Sequence, residues 1–152
     1  MICEEILGNL KEKSTDKEIR YVTIEWFERD KKVLRKALDS GEEIGIRCSQ
    51  SLNEDDIIFE DENSMIVVNI APCDLIKTTV TSMQEMGRLC FELGNRHLSL
   101  AITSDQVRCP YDAPTLEYLR RIGFASEKVH ERFDGYVECI AHGHTHEHHA
   151  HG

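Results

Sequence analysis

Apolar residues in the first half of the chain form short runs that are rich in β-branched and aromatic side chains and are bounded by polar segments. This pattern is typical of β-strands with one buried face. The predicted strands are Glu4–Leu10, Tyr21–Phe27, Val33–Leu38, Glu43–Cys48, Ile57–Glu60 and Met65–Ile70. The last four are expected to form two hairpins, with Gly41 in the turn of the first. One and a half helical turns remain an alternative for Val33–Leu38. Residues 1–72 are thus predicted to form a small, mostly-β domain.

The order of elements changes after Pro72, which cannot donate a hydrogen bond to a strand ladder. The predicted elements are a strand at Asp74–Val80, a helix at Met83–Leu93, strands at Leu98–Thr103 and Val107–Cys109, a helix at Pro114–Ile122 and a strand at Lys128–Phe133. This βαββαβ order is the ferredoxin-like pattern. The predicted fold class is therefore α+β, with a ferredoxin-like domain over residues 73–135. Pairing with a second copy would help to stabilise a domain that buries little area.

The first predicted helix of this half carries a regular apolar stripe. Its members recur at spacings of three and four and are expected to share one face: Met83, Met86, Leu89, Cys90 and Leu93. Ser82 and Glu85 form a capping-box pattern at its start. Gly94 and Asn95 are both able to adopt the left-handed backbone that ends a helix, so the helix is predicted to stop there. His97 would then project from a fixed corner of the fold.

The other end of the chain is rich in histidine. Residues 136–152 are predicted to be a flexible tail. Its apolar start, Tyr136–Ile140, is expected to dock on the body of the protein or on a partner, and Ala141–Gly152 is expected to be disordered without metal. The tail histidines are His142, His144, His146, His148, His149 and His151. An expression tag or a solubilising tail are alternatives, but the irregular spacing favours metal binding. Imidazole suits nickel, copper and zinc, and ligand type alone does not choose among them. Binding should weaken as the pH falls through about 6.5, because the ligand is neutral imidazole.

His97 alone is an inadequate metal site. A histidine after a helix more often bonds the last carbonyls or acts as a cation on the helix dipole. A two-fold axis near His97 would supply a second imidazole from an identical subunit, and tail histidines would complete the shell. We therefore predict one strong metal site per dimer and several weaker ones.

Composition narrows the partners and the compartment. The formal net charge of −10 argues against a nucleic-acid partner. No apolar run approaches the roughly 20 residues that span a membrane, and the start lacks the features of a signal peptide, so we expect a cytoplasmic protein without a membrane partner. The six cysteines include no C-x-x-C pair, which argues against a zinc ribbon or a thioredoxin-type site.

Five segments carry a family resemblance: Met83–Gly87, Phe91–His97 with its terminal Gly-Asn-Arg-His, Glu25–Phe27, Arg35-Lys36 and Glu43–Ile46. They resemble the urease accessory nickel metallochaperones of the UreE type, whose helix ends in the same Gly-Asn-Arg-His. The family's tails are commonly histidine-rich. The resemblance implies a peptide-binding-like β domain, a ferredoxin-like metal domain and a homodimer whose two His97 residues hold Ni(II) at the interface. It also implies delivery of Ni(II) to a GTPase accessory protein and so to the apo-urease complex. Imidazole chemistry makes binding of Zn(II) or Cu(II) possible in vitro.

The chain departs from some relatives, which carry extra histidines on the strand and loop where this sequence has Cys109 to Asp112. Either of those two residues could substitute as a ligand, although a buried cysteine and an ordinary loop aspartate are the expectation. His130 lies among Glu and Arg residues and is predicted to be a solvated strand residue.

A metalloenzyme and a metal storage protein are the two competing functions. A metalloenzyme needs three fixed ligands and an open position, which one fixed histidine and a mobile tail do not provide, so we do not expect an enzyme. Storage or sequestration of nickel, zinc or copper is the alternative function, because the tail suits it equally well.

Overall fold

The structure is a computed structural model that describes residues 1–138. The chain separates into two compact units, Met1–Pro72 and Cys73–Gly152. Among the described residues, no helix has the length and apolarity needed to cross a membrane.

The first unit contains two sheets. Its strands are β1 (Ile2–Cys3), β2 (Gly8–Asn9), β3 (Glu18–Ile24), β4 (Val33–Ala37), β5 (Glu43–Arg47), β6 (Asp56–Glu60) and β7 (Ser64–Ile70), with 3₁₀ turns at Leu10–Glu12 and Trp26–Glu28. One sheet has the order β1-β5-β4 and the other β2-β6-β7-β3. The pairs β1–β5 and β3–β7 are parallel, and the remaining pairs are antiparallel.

Both predicted hairpins are confirmed, because β4 pairs antiparallel with β5 and β6 with β7. The helical alternative for Val33–Leu38 is therefore wrong. The single strand predicted at Glu4–Leu10 is also wrong, since only Gly8–Asn9 pairs with β6. Asn9 instead caps the first 3₁₀ turn, its side chain accepting from the Lys11 amide at 3.0 Å. Short polar side chains favour such local bonds over a continued strand.

The two sheets share a buried apolar cluster. Its largest fully buried members are Ile24, Ile44, Ile46, Leu52, Ile66 and Ile70. In β5 the buried isoleucines alternate with Glu43, Gly45 and Arg47, as expected for a strand with one face in the core.

The second unit has the βαββαβ order that the sequence predicts. Its elements are β8 (Cys73–Thr79), α1 (Met83–Asn95), β9 (Ala101–Ile102), β10 (Gln106–Pro110), α2 (Ala113–Arg121) and β11 (Ala125–Glu131). The strands form one antiparallel sheet in the order β11-β8-β10-β9. Its core joins sheet and helices through Ile76, Val107, Leu89, Leu93, Leu116 and Leu119.

Two strand predictions in this unit need correction. The last strand lies at Ala125–Glu131 rather than Lys128–Phe133, because it begins soon after Gly123, whose φ of 96° turns the chain out of α2. The strand predicted at Leu98–Thr103 is reduced to Ala101–Ile102. Its first residue is used elsewhere, since the Leu98 amide donates to the Leu93 carbonyl at 3.4 Å.

The chain after β11 connects the two edges of this sheet, and we call residues 132–138 the C-terminal strap. Phe133 is fully buried and stacks on Tyr136, with ring centroids 4.6 Å apart. Val137 then forms an antiparallel bridge with Leu100, with N–H to carbonyl distances of 2.7 and 3.0 Å. Ordered contacts thus continue to Val137, just before the edge strand β9.

We predict that Phe133→Ala lowers the free energy of unfolding by about 3–5 kcal/mol, because it removes a fully buried ring. Urea unfolding of the full chain measures the loss. Phe27→Ala is the matched control, since that ring is 59% exposed and its truncation should cost within about 0.5 kcal/mol. Equal losses in the two variants would show that the Phe133 ring is not buried.

Candidate metal centre

Helix α1 begins where the sequence predicts. The Ser82 hydroxyl accepts from the Glu85 amide at 3.1 Å, so Ser82 is the N-cap. The Glu85 carboxylate accepts from the amide and hydroxyl of Thr81, both at 3.0 Å. The return bond of the predicted capping box therefore goes to Thr81, one residue before the N-cap. The Ser82 hydroxyl thus satisfies one of the free N–H groups at this end, that of Glu85.

The apolar stripe of α1 is not buried over its whole length. Leu89 and Leu93 are buried, and Met86 and Cys90 are half-buried with their sulfur atoms 3.8 Å apart. Met83 is 90% exposed, so the predicted stripe is buried only from Met86 onwards. Met83 is the first helical residue, and a helical side chain points back towards the N-terminus, here beyond the start of the helix.

The end of α1 differs from the prediction in an important way. Gly94 and Asn95 are both helical, and the left-handed residue is His97 itself, with φ of 57°. The His97 amide donates to the Gly94 carbonyl at 3.0 Å, and the Leu98 amide donates to the Leu93 carbonyl at 3.4 Å. These two bonds form a Schellman motif, in which His97 takes the position that glycine usually occupies.

His97 is thus held in a backbone conformation that is costly for its residue type. The left-handed region is unfavourable by roughly 1–2 kcal/mol for a residue with a Cβ. Such strain persists only where surrounding contacts enforce it, and it is concentrated at functional sites. The side chain of His97 is exposed, so it is presented to solvent from a fixed turn.

Residues next to His97 tie this turn to the second helix. The Arg96 guanidinium donates to the Thr115 hydroxyl at 3.1 Å and lies 4.5 Å from the centre of the Tyr118 ring. The Tyr118 hydroxyl donates to the Glu92 carboxylate at 2.8 Å. The sequence patterns do not predict this group. Spacing places Glu92 and the C-cap Arg96 on one side of α1 and Thr115 and Tyr118 on one side of α2, but it does not show that the two sides meet.

The two candidate ligands after the helix serve the fold. Cys109 is buried in β10, and burial, with a smaller effect from Asp112, raises the pKa of its thiol to about 12. The thiolate that binds metal is therefore disfavoured. Asp112 is the N-cap of α2 and accepts from the Thr115 hydroxyl at 2.7 Å and the Thr115 amide at 3.1 Å. The expectation of a buried cysteine is confirmed, and the expected loop aspartate is the N-cap of α2.

The remaining histidines lie apart from this turn or beyond the described part of the chain. His130 lies in β11 opposite Asp74, with Nδ1 3.0 Å from the carboxylate, and is 62% exposed by its side chain, which confirms the prediction of a solvated strand residue. The tail histidines from His142 to His151 lie outside the described residues. Within residues 1–138, no three His, Cys, Asp or Glu side chains are grouped closely enough to hold a metal.

Sequence comparison assigns the family. Residues 3–71 match the UreE urease accessory protein, N-terminal domain, and residues 73–152 match the UreE urease accessory protein, C-terminal domain. The chain belongs to the UreE urease accessory protein family. The resemblance found in the sequence is thereby confirmed, and UreE proteins are accessory proteins rather than enzymes.

Curated UreE relatives are similar over most of the chain. The urease accessory protein UreE of Bifidobacterium longum subsp. infantis is 41% identical over 93% of this chain, which spans 65% of that relative's length. The UreE of Flavobacterium johnsoniae is 38% identical over 96% of the chain and 91% of the relative. The UreE of Acetivibrio thermocellus is 38% identical over 97% of the chain and 99% of the relative.

The left-handed turn predicts an unusual order of stabilities. His97→Gly should be more stable than His97→Ala by about 1 kcal/mol, because glycine adopts positive φ without a Cβ clash. Chemical denaturation of the metal-free variants gives the difference. Asn95→Gly, at a helical position, is the control and should be less stable than Asn95→Ala. If His97→Gly is no more stable than His97→Ala, residue 97 is not left-handed.

The N-cap of α2 predicts an acid-sensitive contribution to stability. Hydrogen bonds from the Thr115 hydroxyl and amide lower the pKa of the Asp112 carboxyl. A carboxyl whose folded pKa is lowered stabilises the fold above its unfolded pKa, near 4, and loses that contribution as the pH falls through the folded pKa. The stability gap between the unmodified chain and Asp112→Ala should therefore narrow below about pH 4. A gap that is constant from pH 7 to pH 2 would contradict the assignment.

Proposed function

We propose that this protein is a cytoplasmic, nickel-binding metallochaperone. It delivers Ni(II) to the urease accessory GTPase and the apo-urease complex for assembly of the urease active site. The observation that carries the proposal is the exposed His97, held in a left-handed turn at the end of α1 where glycine is the usual residue. Membership of the urease accessory family supports urease as the destination of the metal.

The ligand chemistry fits a divalent ion of this class. Neutral imidazole is a good ligand for nickel, copper and zinc, and copper would bind most tightly by the Irving–Williams order. Selection of Ni(II) in the cell would therefore depend on metal availability and geometry, with Zn(II) or Cu(II) binding possible in vitro. The role in urease assembly is what supports nickel as the cargo.

A homodimer would complete the site. Helix α1 carries exposed apolar residues, Met83 at 90% and Phe91 at 67%, on the side where a Cβ added at Gly87 or Gly94 would meet nothing within 4 Å. This stripe leads along α1 towards His97. A second copy packed on the stripe would cover the apolar side chains and bring a second His97 to the same ion.

The C-terminal strap supports a part for the tail histidines. Val137 is bridged to Leu100, which is three residues from His97. His142 follows Val137 by five residues, which span up to about 17 Å when extended, whereas His97 lies at most about 10 Å from Leu100. The chain is therefore long enough for the tail to reach His97. We propose the tail histidines as additional, weaker ligands: His142, His144, His146, His148, His149 and His151.

The two units are proposed to have different functions, one in metal binding and the other in docking a partner protein. We infer that residues 73–135 form a ferredoxin-like metal domain, an inference supported by the βαββαβ order and by a sheet in which strands follow the order fourth, first, third, second. We infer that residues 1–72 form a peptide-binding-like domain that docks a partner protein. The His-rich tail is assigned to residues 136–152.

Nickel titration by calorimetry tests the proposal. We expect the full chain to bind half an equivalent of Ni(II) per subunit tightly and further Ni(II) at weaker sites. His97→Ala should lose the tight phase, because it removes the fixed ligand from both subunits. A chain ended at Ala141 should mainly lose capacity. His130→Ala is the control, since the other described histidine lies in β11 and should leave both phases unchanged.

A tight phase that survives in His97→Ala would refute the proposal. Transfer to the accessory GTPase separates delivery from storage. A storage protein would take up nickel without release that depends on the partner, whereas a metallochaperone should lose its tight nickel when the partner is added.

A further inference from the structure

Arg96 directly precedes His97, and its guanidinium contacts Thr115 and Tyr118 of helix α2. We infer that Arg96 is a positioning residue for the metal ligand, because its side chain fastens the left-handed turn of His97 to helix α2. This inference rests on the proposed function, since it concerns the same histidine. It assigns Arg96 no contact with the metal.

The first attachment of Arg96 is a chain of hydrogen bonds that ends in a carboxylate. Arg96 donates to the Thr115 hydroxyl at 3.1 Å, and that hydroxyl donates to Asp112 at 2.7 Å. Thr115 is only 2% exposed, and Asp112 is the N-cap of α2. Each hydrogen bond in such a chain polarises the next, and water does not compete at a buried hydroxyl. One side of the guanidinium is therefore fixed to the start of α2.

The second attachment is an aromatic ring. The Arg96 guanidinium carbon lies 4.5 Å from the centre of the Tyr118 ring, within the range of a cation–π contact. The Tyr118 hydroxyl donates to Glu92 at 2.8 Å, one turn before Arg96 on α1. Glu92, Tyr118 and Arg96 thus close a loop of contacts between the two helices. The guanidinium is fixed on its face as well as at its edge.

These attachments act on the backbone next to His97. Arg96 is the last residue of the helical turn, and Leu98, on the other side of His97, packs against the apolar core. His97 therefore lies between two anchored neighbours. If Arg96 is released, the end of α1 can relax to conformations in which His97 has negative φ, which are favoured by its Cβ. The imidazole must then be reordered whenever metal binds, and this ordering lowers the affinity.

Coulomb's law predicts the opposite effect of removing Arg96. A guanidinium near a divalent cation repels it, so a purely electrostatic role would make nickel bind more tightly to Arg96→Ala. A positioning role makes nickel bind more weakly. The sign of the change in nickel affinity therefore distinguishes a positioning role of Arg96 from a purely electrostatic one.

The chain offers a matched control in Arg121. Its guanidinium carbon lies 5.6 Å from the centre of the same Tyr118 ring, but it belongs to the end of α2 and not to the turn of His97. Arg121→Ala removes a positive charge and a contact on the same ring. It leaves the Arg96 to Thr115 bond in place.

The experiment compares full-length Arg96→Ala, Thr115→Val and Arg121→Ala with the unmodified chain. Nickel calorimetry should show a tight site weakened by about 10- to 100-fold in Arg96→Ala, as is usual when a residue that orients a ligand is lost. Thr115→Val keeps the ring contact and should weaken the site less. The two losses should be less than additive in the double variant, because they break the same bond. Arg121→Ala should bind like the unmodified chain.

A second readout follows the turn directly and needs no metal. The three-bond coupling between the amide and α protons of His97 should move from its left-handed value in Arg96→Ala and stay unchanged in Arg121→Ala. A merely destabilising effect would lower the unfolding midpoint without moving this coupling in the folded protein. If Arg96→Ala folds poorly, Thr115→Val gives the same comparison in a milder form.

The possible failures are distinct. Unchanged or tighter nickel binding in Arg96→Ala, with tight binding lost in His97→Ala, would overturn the role of Arg96 and leave the proposed function standing. Equal weakening in Arg96→Ala and Arg121→Ala would also overturn it. Tight binding that survives in His97→Ala would overturn the proposed function itself.

Discussion

The left-handed backbone of His97 is the constraint on which the second unit depends. Glycine would adopt this conformation without strain, and histidine does so at a cost of roughly 1–2 kcal/mol. The cost is offset because the neighbouring contacts are formed only when residue 97 turns the chain. The Leu98 amide donates to the carbonyl of the buried Leu93, and the half-buried Leu98 side chain packs against the core. The turn then presents the imidazole to solvent. A helix end that would be more stable with glycine carries an exposed imidazole instead.

The topology brings the start of the C-terminal tail close to His97, so that tail histidines could add ligands to the proposed metal site. The strap connects β11 at one edge of the sheet to the region just before β9 at the other, and the bridge between Val137 and Leu100 fixes where the tail begins. A rigid ligand and a tethered tail would have different roles. The rigid histidine requires little ordering on binding and suits tight capture, whereas tail ligands must be ordered and exchange more readily. A carrier that has to release its metal would use both.

Much of the architecture could be predicted from the sequence, because local patterns decide it. Both hairpins followed from alternating strands around polar turns, and the start of α1 followed from the Ser82 cap. The end of α1 did not. Gly94 and Asn95 are the better left-handed residues by local preference, but the packing of Leu98 against the core and the Arg96 contacts place the turn two or three residues later. Those are tertiary contacts, which no local pattern contains.

Tertiary contacts also explain the other differences between the predicted and the observed structure. Met83 fits the helical stripe by spacing, but the position of α1 on its sheet leaves the first turn uncovered. The bridge of Val137 to Leu100 joins residues distant in sequence, so periodicity does not reveal it. Family membership came from matching residues along the whole chain, whereas the group around Arg96 and Thr115 became visible only from the packing of α1 on α2.

Anomalous diffraction at the nickel edge, from crystals grown with half an equivalent of Ni(II) per subunit, tests the central claim most directly. We expect one strong nickel peak per dimer, coordinated by His97 from each of two subunits, with residue 97 still left-handed. A peak at tail histidines alone, with both His97 side chains unmetallated and far apart, would contradict it.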